Sequence, residues 1–293
     1  MERIEILKTY KIYIGGAFPR TESGRFYQPM INKKALGNIC LSSRKDVRNA
    51  IVAARSAQDG WAGRSAYNRC QILYRIAEIL ESRNAQFQAE LEIQGSTKVQ
   101  ATKEINTAID RLIYYAGWCD KITQVFGSVN PVASSHFNFS TYEPTGVVGI
   151  IAPEDSSLLG LISCIAPVIA SGNTCIALAS EGMPLSAITF CEVLATSDVP
   201  GGVVNVLTGN TKELLEHFGS HMDVNAILYT RNDEKEIKSL QEQAVDNLKR
   251  ITIESSNNLF EEGWESPYKI LSFMEVKTTW HPIESISASG SGY

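Results

Sequence analysis

An α/β fold built on a doubly wound parallel sheet is what this 293-residue sequence predicts, and three observations carry the expectation. From Val147 onward, short apolar runs alternate with stretches of helical periodicity, the pattern of successive strand–helix–strand units. Before that point, three longer stretches place apolar residues at helical spacing. Two further segments, "HFNFSTYEP" and "SFMEVKTTW", alternate strictly between apolar and polar residues, as half-buried strands do.

Each element follows from its own pattern. The opening "YKIYIGGAFPR" alternates and then turns on Gly15-Gly16, which reads as a hairpin. From Ser43 to Gln58 the apolar positions Val47, Ile51 and Ala54 mark a first helix. Asn68 to Glu92 repeats the pattern through Ile72, Ile76, Ile79, Leu80 and Phe87, and reads as one helix ending near Gly95. "TKEINTAIDRLIYYAGWCD" supplies a third. The parallel strands are expected at Val147–Ile151, Thr174–Leu178, Val203–Leu207, Ala226–Tyr229 and Arg250–Glu254, with helices between most of them. After Glu254 come an irregular stretch, the second alternating strand and a Ser/Gly tail expected to fray.

Composition narrows the function classes. The chain is 44% apolar and 20% charged with a net charge of −5, which argues against nucleic acid, because phosphate binding needs a basic surface. Six cysteines (Cys40, Cys70, Cys119, Cys164, Cys175, Cys191) have no close spacing, so they read as reduced core residues and not as a metal site or disulfide framework. The amino terminus has no apolar stretch after a basic segment, and no signal peptide is expected. The most apolar run, Leu158–Ala170, is too short to span a bilayer. A cytoplasmic protein without a membrane partner is the expectation.

The segments "GGVVNVLTG", "IAPVIASGNT", "EGMPLSA", "KRITIE", "AARSAQDGWAGRSAYNRCQILYRIAEILE" and "MEVKTTW" together resemble the aldehyde dehydrogenase superfamily, from about Tyr10 to His281. The nearest likeness is to the degenerate, truncated second module of the two-module sixteenth family of aldehyde dehydrogenases. That resemblance implies a Rossmann-like cofactor-binding fold with an oligomerisation hairpin joined by a terminal strand. It also allows the family's machinery to be checked one position at a time.

The family's oxyanion asparagine falls on Asp155 of "APEDSSLLG". An ionised carboxylate has no donor and repels the negative oxygen an amide would stabilise. Asp155, or Ser156 beside it, reads better as a helix cap. The lysine that holds the adenine ribose falls on Leu178, while Glu181 is kept, either as a solvated loop residue or as a vestige of the ribose contact. The two glycines that let the pyrophosphate approach a helix amino terminus are replaced by Arg231 and Glu236 in "YTRNDEKE". Asp233, Glu234 and Glu236 then read as ordinary partners of the helix dipole. Arg231 remains chemically able to take a phosphate.

Glu254 matches the family's general base, with Ser256 and Asn257 in place of the glycines that follow it. In the family that base activates water against a thioester on a downstream cysteine, and here no cysteine follows Cys191. Without that partner, Glu254 is expected to be a structural acid paired with a neighbour such as Lys249 or Arg250. Cys164 and Cys175 are expected to be buried and inert.

The expected organisation is a degenerate cofactor-binding-like domain over 1–258, interrupted by oligomerisation strands at 125–144. A remnant of the catalytic region plus the terminal strand occupies 259–284, and 285–293 form a flexible tail. With most of the catalytic domain deleted, the apolar face it covered is expected to be exposed. The leading functional expectation is a non-catalytic subunit with no bound cofactor, residual NAD or NADP binding being unexpected. It would assemble with itself or with an active module through strands near 136–144 and 272–281. A nucleotide or small-ligand sensor using the altered crevice is the alternative, and a working oxidoreductase with a displaced thiol the third reading.

Overall fold

A computed structural model describes residues 6–254 and 257–283, so Ser256 and the tail at 285–293 lie outside the described residues. The chain opens with short strands β1 (Thr9–Tyr10), β2 (Phe26–Tyr27), β3 (Met30–Ile31), β4 (Lys34–Ala35) and β5 (Asn38–Cys40). Gly15 and Gly16, at φ 62° and 84°, make the expected turn, and Ile14 pairs with Ala17 across it. Positive φ at two successive positions is what glycine supplies without steric cost. The hairpin is limited to that one pair, and the residue before it, Tyr13, pairs instead with Val206 at the edge of the central sheet.

Helices α1 (Arg44–Ala62), α2 (Ala66–Ser82), α3 (Asn84–Ile93), α4 (Lys98–Ala116) and α5 (Ile122–Phe126) follow. The stretch read as one helix over 68–92 is two, broken at Arg83, whose backbone lies at φ −102°, ψ 14°. Ser82 Oγ donates to the carbonyl of Ile79 (2.8 Å), diverting the local hydrogen bonding at that turn. The Arg83 side chain is drawn to Gln86 of α3 (2.8 Å) and to Glu192. Apolar periodicity survives such a break because both helices bury the same face.

Next come β6 (Ser128–Asn130) and β7 (His136–Pro144), then the repeating units: β8 (Val147–Ile151), α6 (Leu159–Ala170), β9 (Thr174–Leu178), α7 (Leu185–Ala195), β10 (Val204–Leu207), α8 (Thr211–Ser220), β11 (Ala226–Tyr229), α9 (Glu234–Ala244) and β12 (Arg250–Ile253). The five core strands form one parallel sheet in the order β10-β9-β8-β11-β12. Alternate residues of each strand face opposite layers. Val147 and Ile151 join Val47 and Ile51 of α1 and Leu214 and Phe218 of α8, while Val148 and Ile150 join residues of α2, α4, α6 and α7. With both faces covered, the strands read as unbroken apolar runs, which is why their limits were visible almost to the residue.

Beyond β12 lie α10 (Pro267–Leu271) and β13 (Met274–Pro282). β13 pairs antiparallel with β7 from Met274↔Pro144 to Pro282↔His136, and β7 pairs with β6, in the order β13-β7-β6. Among the described residues the outer edge of β13 has no strand beside it.

The apolar helix α6 is covered on every side. All twelve residues of α6 are buried, and part of that cover comes from the irregular stretch after β12: Leu259, Trp264, Ile270 and Phe273 join the larger core with at most 5% exposure each. Polar contacts hold the stretch in place. Buried Arg111 of α4 donates to the carbonyl of Leu259 (3.0 Å) and to Ser163 Oγ of α6 (2.7 Å), and the Tyr115 hydroxyl donates to the carbonyl of Trp264 (2.6 Å). The irregular sequence concealed this role, since a loop that packs by a few anchors has no period. Trp264→Ala is predicted to destabilise the fold by about 3–5 kcal/mol, whereas Phe260→Ala, on a half-exposed ring, costs under about 1 kcal/mol. Urea midpoints measure both; a Trp264 variant as stable as the parent would show that the stretch is not part of the core.

Candidate functional site

The strand order reverses between β8 and β11, so the loops leaving their carboxyl ends diverge and open a crevice, the usual ligand site of such sheets. Here the crevice is a depression of about 380 Å³, lined by Glu154, Asp155, Thr230, Arg231, Asn232, Asp233 and Glu236.

Arg231 lies across it. Its Nε donates to the carbonyl of Ala152 (2.8 Å), Nη1 reaches Thr211 at the start of α8, and Nη1 meets Glu154 Oε1 at 2.7 Å. Glu154 was not singled out from the sequence. Its other oxygen accepts from Ser180 Oγ (2.8 Å) and from the amide of Glu181 (2.9 Å). One carboxylate thus ties the loops after β8, β9 and β11 together, and it takes up amide donors that an anionic ligand would otherwise find. The available signal was an acid and an arginine just past the carboxyl ends of two core strands. Arg231 Nη2 is buried and has no hydrogen-bond partner among the described residues.

The remaining positions are structural in their contacts. Leu178 is fully buried at the end of β9. Glu181 is neither fully solvated nor free: Asn210, the cap of α8, donates to its Oε1 (3.2 Å), and the Tyr27 hydroxyl donates to its carbonyl (3.1 Å). Asp233 caps α9 by accepting from the amides of Lys235 (2.8 Å) and Glu236 (3.2 Å), and Glu236 accepts from the Tyr229 hydroxyl (2.7 Å). The first turn of α9 therefore keeps its amide donors occupied and its acids beside the dipole's positive end.

Of the two residues proposed as the α6 cap, Asp155 is exposed and does not serve. Ser156 Oγ accepts from the amide of Gly160 (2.8 Å). Glu104 of α4, which the sequence did not reveal, accepts from the amides of Leu158 and Leu159 (3.1 Å each) and from Ser156 Oγ (2.8 Å). A cap supplied from another helix has no local signature.

Glu254 is paired, but with neither neighbour proposed for it. Its partner is Lys269 of α10, with both side chains under one-fifth exposed. Arg250 opens β12 and Lys249 precedes it, roughly 13 and 16 Å from Glu254 at about 3.3 Å per strand residue, and each is engaged there. Buried Lys249 donates to the carbonyls of Phe218 (3.3 Å), Gly219 (2.6 Å) and His221 (2.9 Å), and burial pushes its pKa down to about 8. Arg250 meets Glu275 at 2.7 Å and the carbonyls of Ser272 (2.9 Å) and Met274 (3.0 Å).

The thiols are poor nucleophiles. Burial pushes Cys164 up to about 12, and Cys175 and Cys191 are raised for the same reason. At neutral pH these groups are protonated, and the thiolate is the reactive form. Cys70 alone among the six is only half-buried. Iodoacetamide at about pH 8 is therefore predicted to label Cys70 alone in the folded chain and all six after unfolding, as read by peptide mass spectrometry. Native labelling of Cys164 would contradict this geometry.

The sequence pattern that defines the "Aldehyde dehydrogenase family" matches residues 17–259. Aldehyde dehydrogenase, cytosolic 1, of Elephantulus edwardii is 34% identical over 254 residues, covering 83% of this chain and 50% of that protein. Cytosolic 10-formyltetrahydrofolate dehydrogenase of Pongo abelii is 30% identical over 256 residues, with 84% and 28% covered. Among solved structures, the NAD⁺ complex of an aldehyde dehydrogenase from Bacillus cereus superimposes with a TM-score of 0.80 at 25% identity, covering 85% of this chain and 51% of that one. The chain spans about half the length, or less, of these relatives. By sequence pattern and by fold alike, it belongs to the aldehyde dehydrogenase family.

Proposed function

We propose that this chain is a non-catalytic member of the family with a structural, assembly or regulatory role. The Arg231–Glu154 ion pair across the crevice carries the reading, since it fills with the protein's own charges the place a dinucleotide would need. Three further features support it. Asp155 offers no donor where an oxyanion would form, Glu254 is held by Lys269, and Cys164 and Cys175 are fully buried. NAD-dependent aldehyde oxidation by this chain would need all of these contacts undone.

Its partner would be a second copy or an active module of the same family, added at β13. The strand is long, and most of its residues are exposed, Val276 and Trp280 by 58% and 56%. An unpaired edge of this kind offers amides and carbonyls to another strand. A nucleotide-sensing role is the second reading, favoured by the one buried guanidinium nitrogen of Arg231 that has no partner.

The test joins native mass with activity. The purified chain should form no NADH from aldehydes and give no heat on titration with NAD or NADP, while running as an oligomer. Val276→Lys/Trp280→Lys should lower its native mass and leave the melting temperature within a few degrees, because both side chains are largely exposed. Steady NADH production would overturn the non-catalytic reading, and an unchanged native mass would overturn the role of β13. Heat with ATP or ADP alone would favour the sensor.

A further inference from the structure

A second depression, of about 400 Å³, lies between α1 and the carboxyl end of α8, lined by Arg44, Arg48, His217, Ser220, His221, Val47 and Met222. It is separate from the crevice. Arg231 touches Thr211 at the opposite end of α8, roughly 15 Å away at about 1.5 Å per helical residue.

The arrangement of charge is unusual for a chain of net charge −5. Arg44 and Arg48 stand one turn apart on α1, and His217 and His221 are likewise four residues apart on and just after α8. Like charges at that spacing on one helix repel. Neighbouring cations are neutralised: Lys45 by Glu22 (2.9 Å), Arg25 by Glu213 (2.9 Å) and Arg55 by Asp223 (3.9 Å). Arg44 and Arg48 have no carboxylate partner among the described residues, and no carboxylate lines the depression.

Nearby acids are turned to other work. Asp46 of α1 accepts from Ser43 (2.7 Å to the amide) and from the amide of Glu22 (3.0 Å). The backbone amide of Asp223 donates to His221 Nδ1 (3.2 Å), which places the ring proton on Nε2 and makes that nitrogen a donor. Lys249 occupies the last carbonyls of α8, so the negative end of that helix dipole is already matched.

We propose that this depression binds a phosphate monoester. Two guanidinium forks suit the tetrahedral dianion, the His221 Nε2–H and the His217 ring add donors, and Val47 and Met222 give an apolar wall for the organic part of the ligand. The site goes beyond the non-catalytic reading and does not depend on the crevice being closed.

Calorimetry on the full chain tests it, with phenyl phosphate and a phosphoserine peptide as probes and phenyl sulfonate as a singly charged control. Phenyl phosphate should bind more tightly than the sulfonate, and Arg44→Glu/Arg48→Glu should weaken it roughly tenfold or more with the melting curve unchanged. Arg48→Gln, which removes one fork without reversing charge, should give a smaller loss in the same direction. Tighter binding of the peptide than of phenyl phosphate assigns the monoester to a protein partner, and the reverse assigns it to a small metabolite. No heat with either phosphate probe, or equal binding by the arginine variants, overturns the proposal.

Discussion

A helix that is apolar on every side has to be enclosed on every side, and α6 imposes that constraint on the rest of the molecule. One side of it rests on the sheet and another on α4, and Leu259, Trp264 and Ile270 complete the enclosure from the connection that carries α10. The anchoring of that stretch by Arg111 and Tyr115 follows from the same requirement, because buried carbonyls at Leu259 and Trp264 need donors. Placing α10 there also brings Lys269 to Glu254. Glu254 thereby becomes part of the packing of this short connection.

The crevice at the strand-order reversal is a consequence of topology, and the chain has filled it from within. Glu154 satisfies amide donors of the loop after β9 while neutralising Arg231, and Arg231 in turn holds Ala152 and Thr211. An ion pair with this many hydrogen bonds offsets its own desolvation better than an isolated pair would. Ligand binding at this place would have to replace these contacts as well as make new ones, which raises its cost.

Legibility in the sequence followed the range of the interaction concerned. All five core strands were visible to within one residue at each end, since burial on both faces writes a continuous apolar run. The pairing of β7 with β13 was foreseen only through the family resemblance, as nothing local joins His136 to Pro282. At the site, Arg231 and Glu236 were singled out because each falls where the resemblance implies a glycine. Glu154 was passed over because its importance lies in a partner almost eighty residues away. The Glu104 cap, the Glu254–Lys269 pair and the enclosing role of Trp264 are of the same kind. Each depends on which elements pack together, and periodicity carries no record of that.

The central claim is that Arg231 and Glu154 act on each other to close the crevice. A double-mutant cycle on urea stability with Arg231→Met, Glu154→Gln and the double variant tests it most directly. The account predicts a coupling of about 1 kcal/mol, held down by the partial exposure of Glu154 and weakening with salt. Strictly additive effects would contradict it and leave the crevice without its lock.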